Sequence, residues 1–167
     1  MGLRRTMPGP GILEVFEMEI KKILWPTDFS ANSQHALATV SSLSERYQAE
    51  IHVLHVVEDL ADHESWYGDF DRARVDKLMQ WSSETGQKRL SQICEKYLNG
   101  CPLYIKHIAV GDPAVQILKT IEKEDIDMVV MASHGEKGNF RFGGVADKVV
   151  KNAGVPVVTV PVEPQAA

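Results

Sequence analysis

Two stretches hold residue types that can do chemistry together. One is Pro26-Thr27-Asp28, a hydroxyl and a carboxylate closing an apolar run. The other is Ser133-His134-Gly135 with the glycine-rich segment behind it, Gly138, Gly143 and Gly144. That segment joins an apolar run, Met128 to Ala132, to a helical pattern of Val145, Ala146, Val149 and Val150. A glycine stop at Gly154 and a second apolar run, Val155 to Val160, follow. Strand, glycine loop, helix, strand offers an anion a nest of backbone N–H groups and the positive end of a helix dipole. Four glycines between positions 135 and 144 exceed what a plain turn needs, so this segment reads as a phosphate-binding turn. His134 suits a phosphate or ribose contact, or an ordinary hydrogen-bonded loop position. No His or Cys stands at ligand spacing to it, so it does not read as a metal ligand. Asp28 suits both a ligand contact and a helix N-cap. Lys137 and Arg141 fit phosphate neutralisation and solvated surface charge equally well.

The elements that must position these residues follow from periodicity. Glu19 to Asp28 contains a strand that ends at Pro26, which cannot donate to a ladder. Ser30 or Asp28 caps an amphipathic helix over Ala31 to Tyr47, with Ala36, Val40, Leu43 and Tyr47 recurring at helical spacing. Glu50 to Glu58 is a strand of nearly continuous apolar character, as expected of one covered on both faces. His52 and His55 inside it read as packed, hydrogen-bonded residues. Asp59 to Phe70 reads as a surface loop. Arg72 to Leu98 is a long helix with apolar stripes at Val75, Leu78 and Met79 and at Leu90, Ile93, Cys94, Tyr97 and Leu98, a kink expected at Gly86 and a stop at Asn99-Gly100. Leu103 to Val110 is a third strand, near an edge. Asp112 caps, and Pro113 starts, a helix with Ala114, Ile117, Leu118 and Ile121 buried. Strands alternating with helices imply a parallel sheet covered on both faces, with ligands beyond the carboxyl ends of the strands where strand order reverses.

Composition bounds the rest. The chain has 167 residues, 44% of them hydrophobic, and suits one domain with a single core. A net charge of −5 and a pI near 5.7 argue against a nucleic-acid-binding role. No apolar stretch reaches the ~20 residues a membrane span needs, and no signal peptide is visible. Cys94 and Cys101 are expected to be reduced thiols in the cytosol. Residues 1–18 read as a leader and 163–167 as a tail around a single domain over 19–162.

In order and spacing, KKILWPTDFS, IHVLHVVE, VGDPAVQIL, DMVVMASHGEKG and GGVADKVVKNAGVPVVTV resemble the universal stress protein (UspA-like) family over Glu19 to about Pro161. The resemblance implies a Rossmann-like fold of the adenine nucleotide alpha hydrolase type, an open five-stranded parallel sheet in the order 3-2-1-4-5. It implies a homodimer paired through the last strand, Val155 to Val162, and binding of ATP, or AMP, with Mg²⁺ on the phosphates. Family members that bind ATP carry G-x2-G-x9-G-[ST]. Here those positions fall on Ala132, Gly135, Gly143 and Gly144, with Gly138 inside the loop and Val145 following. Pro26, Thr27 and Asp28 match the loop whose Asp helps hold the ribose and metal-bound phosphates. Val56 matches the adenine-side position, and Met131 and His134 line the same pocket. Three departures stand out. Ala132 replaces a glycine, Gly144 replaces a hydroxyl residue, and 136–142 makes the loop two residues shorter than the motif.

Three functions are thus in view. The first is an adenine-nucleotide-binding, dimeric stress-response module without strong catalytic activity, any ATP hydrolysis being slow and incidental. The second is a nucleotide-free dimeric interaction module of the same fold. The third, an enzyme in the same crevice, is weakest: no GxxxxGK[ST], GxGxxG, nucleophile elbow or SGGxDS occurs in the chain.

Overall fold

In the computed structural model, residues 18–58, 72–99, 104–134 and 143–162 are described. The expected loop at Asp59 to Phe70, the leader up to residue 17, Gly100, Cys101, the tail, and Gly135, Lys137, Gly138 and Arg141 lie outside these residues. Among the described residues the order is β1 (Lys22–Pro26), α1 (Ala31–His35), α2 (Leu37–Tyr47), β2 (Glu50–Val57), α3 (Arg72–Tyr97), β3 (Tyr104–Val110), α4 (Pro113–Lys123), β4 (Met128–Ala132), α5 (Gly144–Asn152) and β5 (Val157–Val160). The five strands form one parallel sheet in the order β3-β2-β1-β4-β5.

Alternation along each strand divides the core in two. Ile23 and Trp25 of β1, Ile51 and Val53 of β2, and Met128 and Val130 of β4 face α2 and α3 through Val40, Leu90, Cys94 and Leu98. Leu24, Leu54, Val129 and Met131 face α4 and α5 through Ala114, Ile117, Ile121, Ala146 and Val149. Both faces of the sheet are thus covered, which is what continuous apolar strands demand. No helix among the described residues is long and apolar enough to cross a membrane.

The expected helix over Ala31 to Tyr47 is two helices. Trp25, fully buried, donates its indole N–H to the Ser33 carbonyl at 3.1 Å, and the Ala36 N–H bonds the same oxygen at 3.3 Å. Ser33 therefore cannot serve as an ordinary i−4 acceptor, and the chain turns at Ala36 before α2 begins. The helix α3 continues across Gly86 in one run, Arg72–Tyr97. The role of this glycine is close approach: a Cβ there would sit 2.9 Å from His55 Cδ2. Gly154 is not a left-handed stop; α5 ends on Ala153 in extended conformation. The second apolar stripe of α3 is buried at Leu90, Cys94 and Leu98, but Tyr97 is exposed. In the first stripe Leu78 is 46% exposed, and neighbouring Trp81 is 62% exposed.

The histidines of β2 are packed and bonded. His52, buried, lies between Glu50 Oε1 (2.8 Å from Nε2) and His107 Nε2 on β3 (2.9 Å from Nδ1). His55 reaches the Thr27 carbonyl through Nδ1 at 2.9 Å and lies against the Phe29 ring. Burial pushes the Cys94 thiol up to about 11, leaving it protonated and inert at neutral pH.

Candidate functional site

The site begins where β1 and β4 part. Their ladder is two residue pairs long, Ile23 opposite Met128 and Leu24 opposite Val129. Below it, the Asp127 carboxylate accepts from the Lys21 and Lys22 N–H groups at 2.8 and 2.9 Å. Above it, Pro26 has no N–H to offer. Beyond Leu24, β1 stays paired with β2 to Pro26–Leu54, and β4 stays paired with β5 to Ala132–Val160. The sheet is clamped at one end and open at the other.

A cavity of about 370 Å³ fills the opening, within the range of small-ligand sites. Of the residues singled out in the sequence, Pro26, Thr27, Asp28, Val56, Met131, Ala132, His134, Gly143 and Val145 line it. Gly144 does not; it is the exposed first residue of α5. Ser33, Leu54, Glu58, Pro113, Ile117 and Ala146 complete the described lining. The local pattern of these residues gives no sign of a site: helical and strand spacing explains most of them as core or cap. Only the reversal of strand order turns their strand ends and helix starts toward one space.

The loop after β1 is held tightly. Thr27 Oγ1 lies 2.9 Å from Ser33 Oγ and accepts from the Phe29 N–H, while the Thr27 N–H bonds the Leu54 carbonyl. Asp28 Oδ1 accepts from the Ser30 N–H and hydroxyl, and Ser30 is the N-cap of α1. Phe29 sits at φ 65°, a left-handed conformation that costs a bulky residue roughly 1–3 kcal/mol. Its ring contact with His55 and these hydrogen bonds offset that cost. Ala132 has no positive φ, so replacing the motif's glycine asks nothing special of the backbone.

Across the opening, Ser133 Oγ lies 3.1 Å from His134 Nδ1, both residues being buried. The Gly143 N–H donates to the Ser133 carbonyl at 2.9 Å, which joins the two ends of the glycine segment. Gly143 is also the N-cap of α5, and as a glycine it has no side chain to cap with. Ser30 and Asp112 do cap α1 and α4, accepting from the Ser33 and Val115 N–H groups. The first turn of α5 therefore presents backbone N–H groups at the cavity wall with no side-chain acceptor supplied from Gly143.

Apolar surface from Leu54, Val56, Ile117 and Met131, two carboxylates, and the start of a helix meet in one cavity. That arrangement can hold a flat apolar ring at one side and an anion at the other. The sequence model of the universal stress protein family matches residues 19–161. The chain belongs to the universal stress protein family. The universal stress protein MJ0577 of Methanocaldococcus jannaschii is 30% identical over 158 residues, covering 84% of this chain and 94% of that protein. A solved structure of MJ0577 superposes with a TM-score of 0.75 at 27% identity, over 88% of this chain and 99% of that one. Two more distant universal stress protein structures share the fold. One, from Archaeoglobus fulgidus, is in complex with dAMP (TM-score 0.57, 16% identity, 86% and 98% covered). The other is in complex with cAMP (TM-score 0.55, 13% identity, 85% and 97% covered).

His55 gives the universal stress fold here a pH dependence. Burial lowers its pKa from 6.5, against the opposing pull of the Thr27 carbonyl and Asp28, and burial with the neighbouring His52 lowers that of His107. Both stay neutral in the fold at pH values where the unfolded chain has begun to take up protons. Unfolding therefore binds protons, and stability is lost as pH falls below about 6.5. The urea midpoint is expected to fall between pH 7.5 and 5.5, and to fall less in His55→Gln. An equal fall in both proteins would remove His55 from this account.

Proposed function

We propose that this universal stress protein binds an adenine nucleotide, ATP or AMP, in the cavity between β1 and β4, as a ligand-sensing module and not as an efficient catalyst. The observation that carries the reading is the start of α5, which has no side-chain cap among the described residues, in a cavity that is apolar on its other wall. The base would lie against Val56 and Met131. The ribose would be near Asp28, and the phosphates at the N–H groups of Gly144, Val145 and Ala146, where a helix dipole favours negative charge. Asp28 and Glu58 are hard oxygen donors of the kind Mg²⁺ prefers, so a phosphate-bound Mg²⁺ fits this wall. Relatives of the same fold in complex with dAMP and cAMP support an adenine ligand. The second reading, a nucleotide-free interaction module, is favoured by two features of the sequence: the glycine segment is two residues shorter than the motif, and Gly144 lacks the motif's hydroxyl. One lost hydrogen bond to a charged group is roughly 1.5–3 kcal/mol, a weakening and not an abolition.

We also propose a homodimer through β5. All four of its residues are only half-buried, and the strand is flanked by Pro156 and Pro161. The Pro156 and Val160 carbonyls are taken by the Val129 and Ser133 N–H groups of the β4 side. The backbone of Thr159 then faces the open edge, and an apolar edge strand calls for a partner.

Two outcomes test these readings. Mg·ATP or AMP at 100 times its dissociation constant should raise the unfolding midpoint by about 5–10 °C. Gly143→Asp should place a carboxylate where the phosphate would sit. Its nucleotide-free stability should hold or rise by a few tenths of a kcal/mol, while nucleotide affinity drops at least ~10-fold, the worth of about 1.4 kcal/mol. No rise in the parent protein at millimolar nucleotide would favour the nucleotide-free module. For the dimer, sedimentation should give two copies at micromolar concentration and one for Thr159→Pro; a parent protein that sediments as a monomer contradicts the pairing.

A further inference from the structure

Away from the cavity, the sheet carries a second polar cluster that nucleotide binding does not use. His52 of β2, His107 of β3 and Glu124 at the C-cap of α4 bring their ligand atoms within 4.8 Å of one another. None of the three lines the cavity. His52 is 1% exposed, an unusual position for an imidazole on a sheet face otherwise packed with aliphatic side chains. Its Nε2 faces Glu50 Oε1 at 2.8 Å. An ionised carboxylate can only accept, so that nitrogen carries the proton and Nδ1 is left with a bare lone pair directed at His107 Nε2, 2.9 Å away.

We propose that Nδ1 of His52, Nε2 of His107 and the Glu124 carboxylate form a site for a divalent transition-metal ion of the zinc class, with Glu50 fixing the orientation of His52. Two imidazoles and one carboxylate are a donor set that suits zinc and its neighbours, and not Mg²⁺ or Ca²⁺, which want oxygen alone. Three protein ligands leave a fourth position for water. A carboxylate holding the far N–H of a metal-binding imidazole is the usual outer-shell partner.

The geometry needs local adjustment. Zinc bonds of about 2.0–2.2 Å separate tetrahedral ligand atoms by roughly 3.4 Å. The two imidazole nitrogens must then part by roughly half an ångström, each ring must turn by roughly 35° so that its lone pair leaves the line between the nitrogens, and the carboxylate must swing inward. Glu124 can do so: its side chain is a quarter exposed at the end of a helix, and its partner is Lys123, at 3.1 Å and 79% exposed. A pair so exposed contributes little that the ion must displace. His107 keeps one proton throughout, moving it from Nε2 to Nδ1, so both imidazoles bind as neutral ligands. Lys22 Nζ is held by the Glu124 backbone carbonyl at 2.7 Å and leaves the carboxylate free to turn. An ion here would tie the edge strand β3 to β2 and to the end of α4.

The test uses the full chain without a histidine tag, stripped of metal. Zn²⁺ should bind at one equivalent and raise the unfolding midpoint by about 5–10 °C at 100 times its dissociation constant. Co²⁺ should give the visible absorption of a four-coordinate ion. His107→Gln retains an N–H for His52, and Glu124→Ala changes only a partly exposed side chain, so both variants should fold. Each is expected to lose at least ~10-fold in Zn²⁺ affinity. Absence of binding by the parent protein at sub-millimolar Zn²⁺ would overturn the proposal. So would affinity unchanged in both variants, because the ion would then be held elsewhere.

Discussion

The parting of β1 from β4 is the constraint on which the rest of this structure depends. Two residue pairs join these strands, an aspartate clamps their beginnings, and a proline removes the next donor. The helices that follow the two strands pack on opposite faces of the sheet, α2 on one and α5 on the other. A parallel sheet wound in both directions always leaves such a crevice. What is particular here is how the chain furnishes it. One wall is a tightly bonded turn with a carboxylate, the other a helix start with no side-chain cap among the described residues, and the floor is aliphatic.

The turn is held from behind by an element far along the chain. Thr27 presents its carbonyl to His55, and His55 is pressed by α3 at the one position where a helix without a side chain lets it approach. Phe29 takes a left-handed backbone and lies on the same imidazole. A change on α3 at Gly86 would therefore reach Asp28 through His55 and Thr27, four residues in direct sequence of contact. Gly86 and His55, which do not line the cavity, are positioning groups: they decide where Thr27 and Asp28 stand.

Much of the fold was legible in the sequence because its signals are local. Pro26 ends β1, Asp112 and Pro113 begin α4, and the continuous apolar run of β2 requires two covered faces; the structure has each of these. The failures came where a distant group overrode a local pattern. The helix after β1 breaks because the Trp25 indole takes a carbonyl the helix needed, and no periodicity within Ala31 to Tyr47 carries that information. Gly86 is a place of close approach to His55, which no pattern within the helix expresses. For the site, Pro26, Thr27, Asp28, Val56, Met131, Ala132, His134, Gly143 and Val145 were found by motif and come together around one cavity. Glu58, Pro113 and Ile117 were not, since each has an ordinary local explanation. The pairing of His52 with His107 depends on strand register and Glu124 on the end of α4, which spacing along the chain does not express.

The central claim is that nucleotide phosphates sit on the first turn of α5 while the base lies against β2 and β4. The most direct measurement is the amide and methyl NMR spectrum of the labelled protein as AMP or Mg·ATP is added. The account predicts the largest amide shifts at Gly144, Val145 and Ala146, with methyl shifts at Val56 and Met131. Shifts confined to other surfaces, or none at millimolar nucleotide, would contradict it.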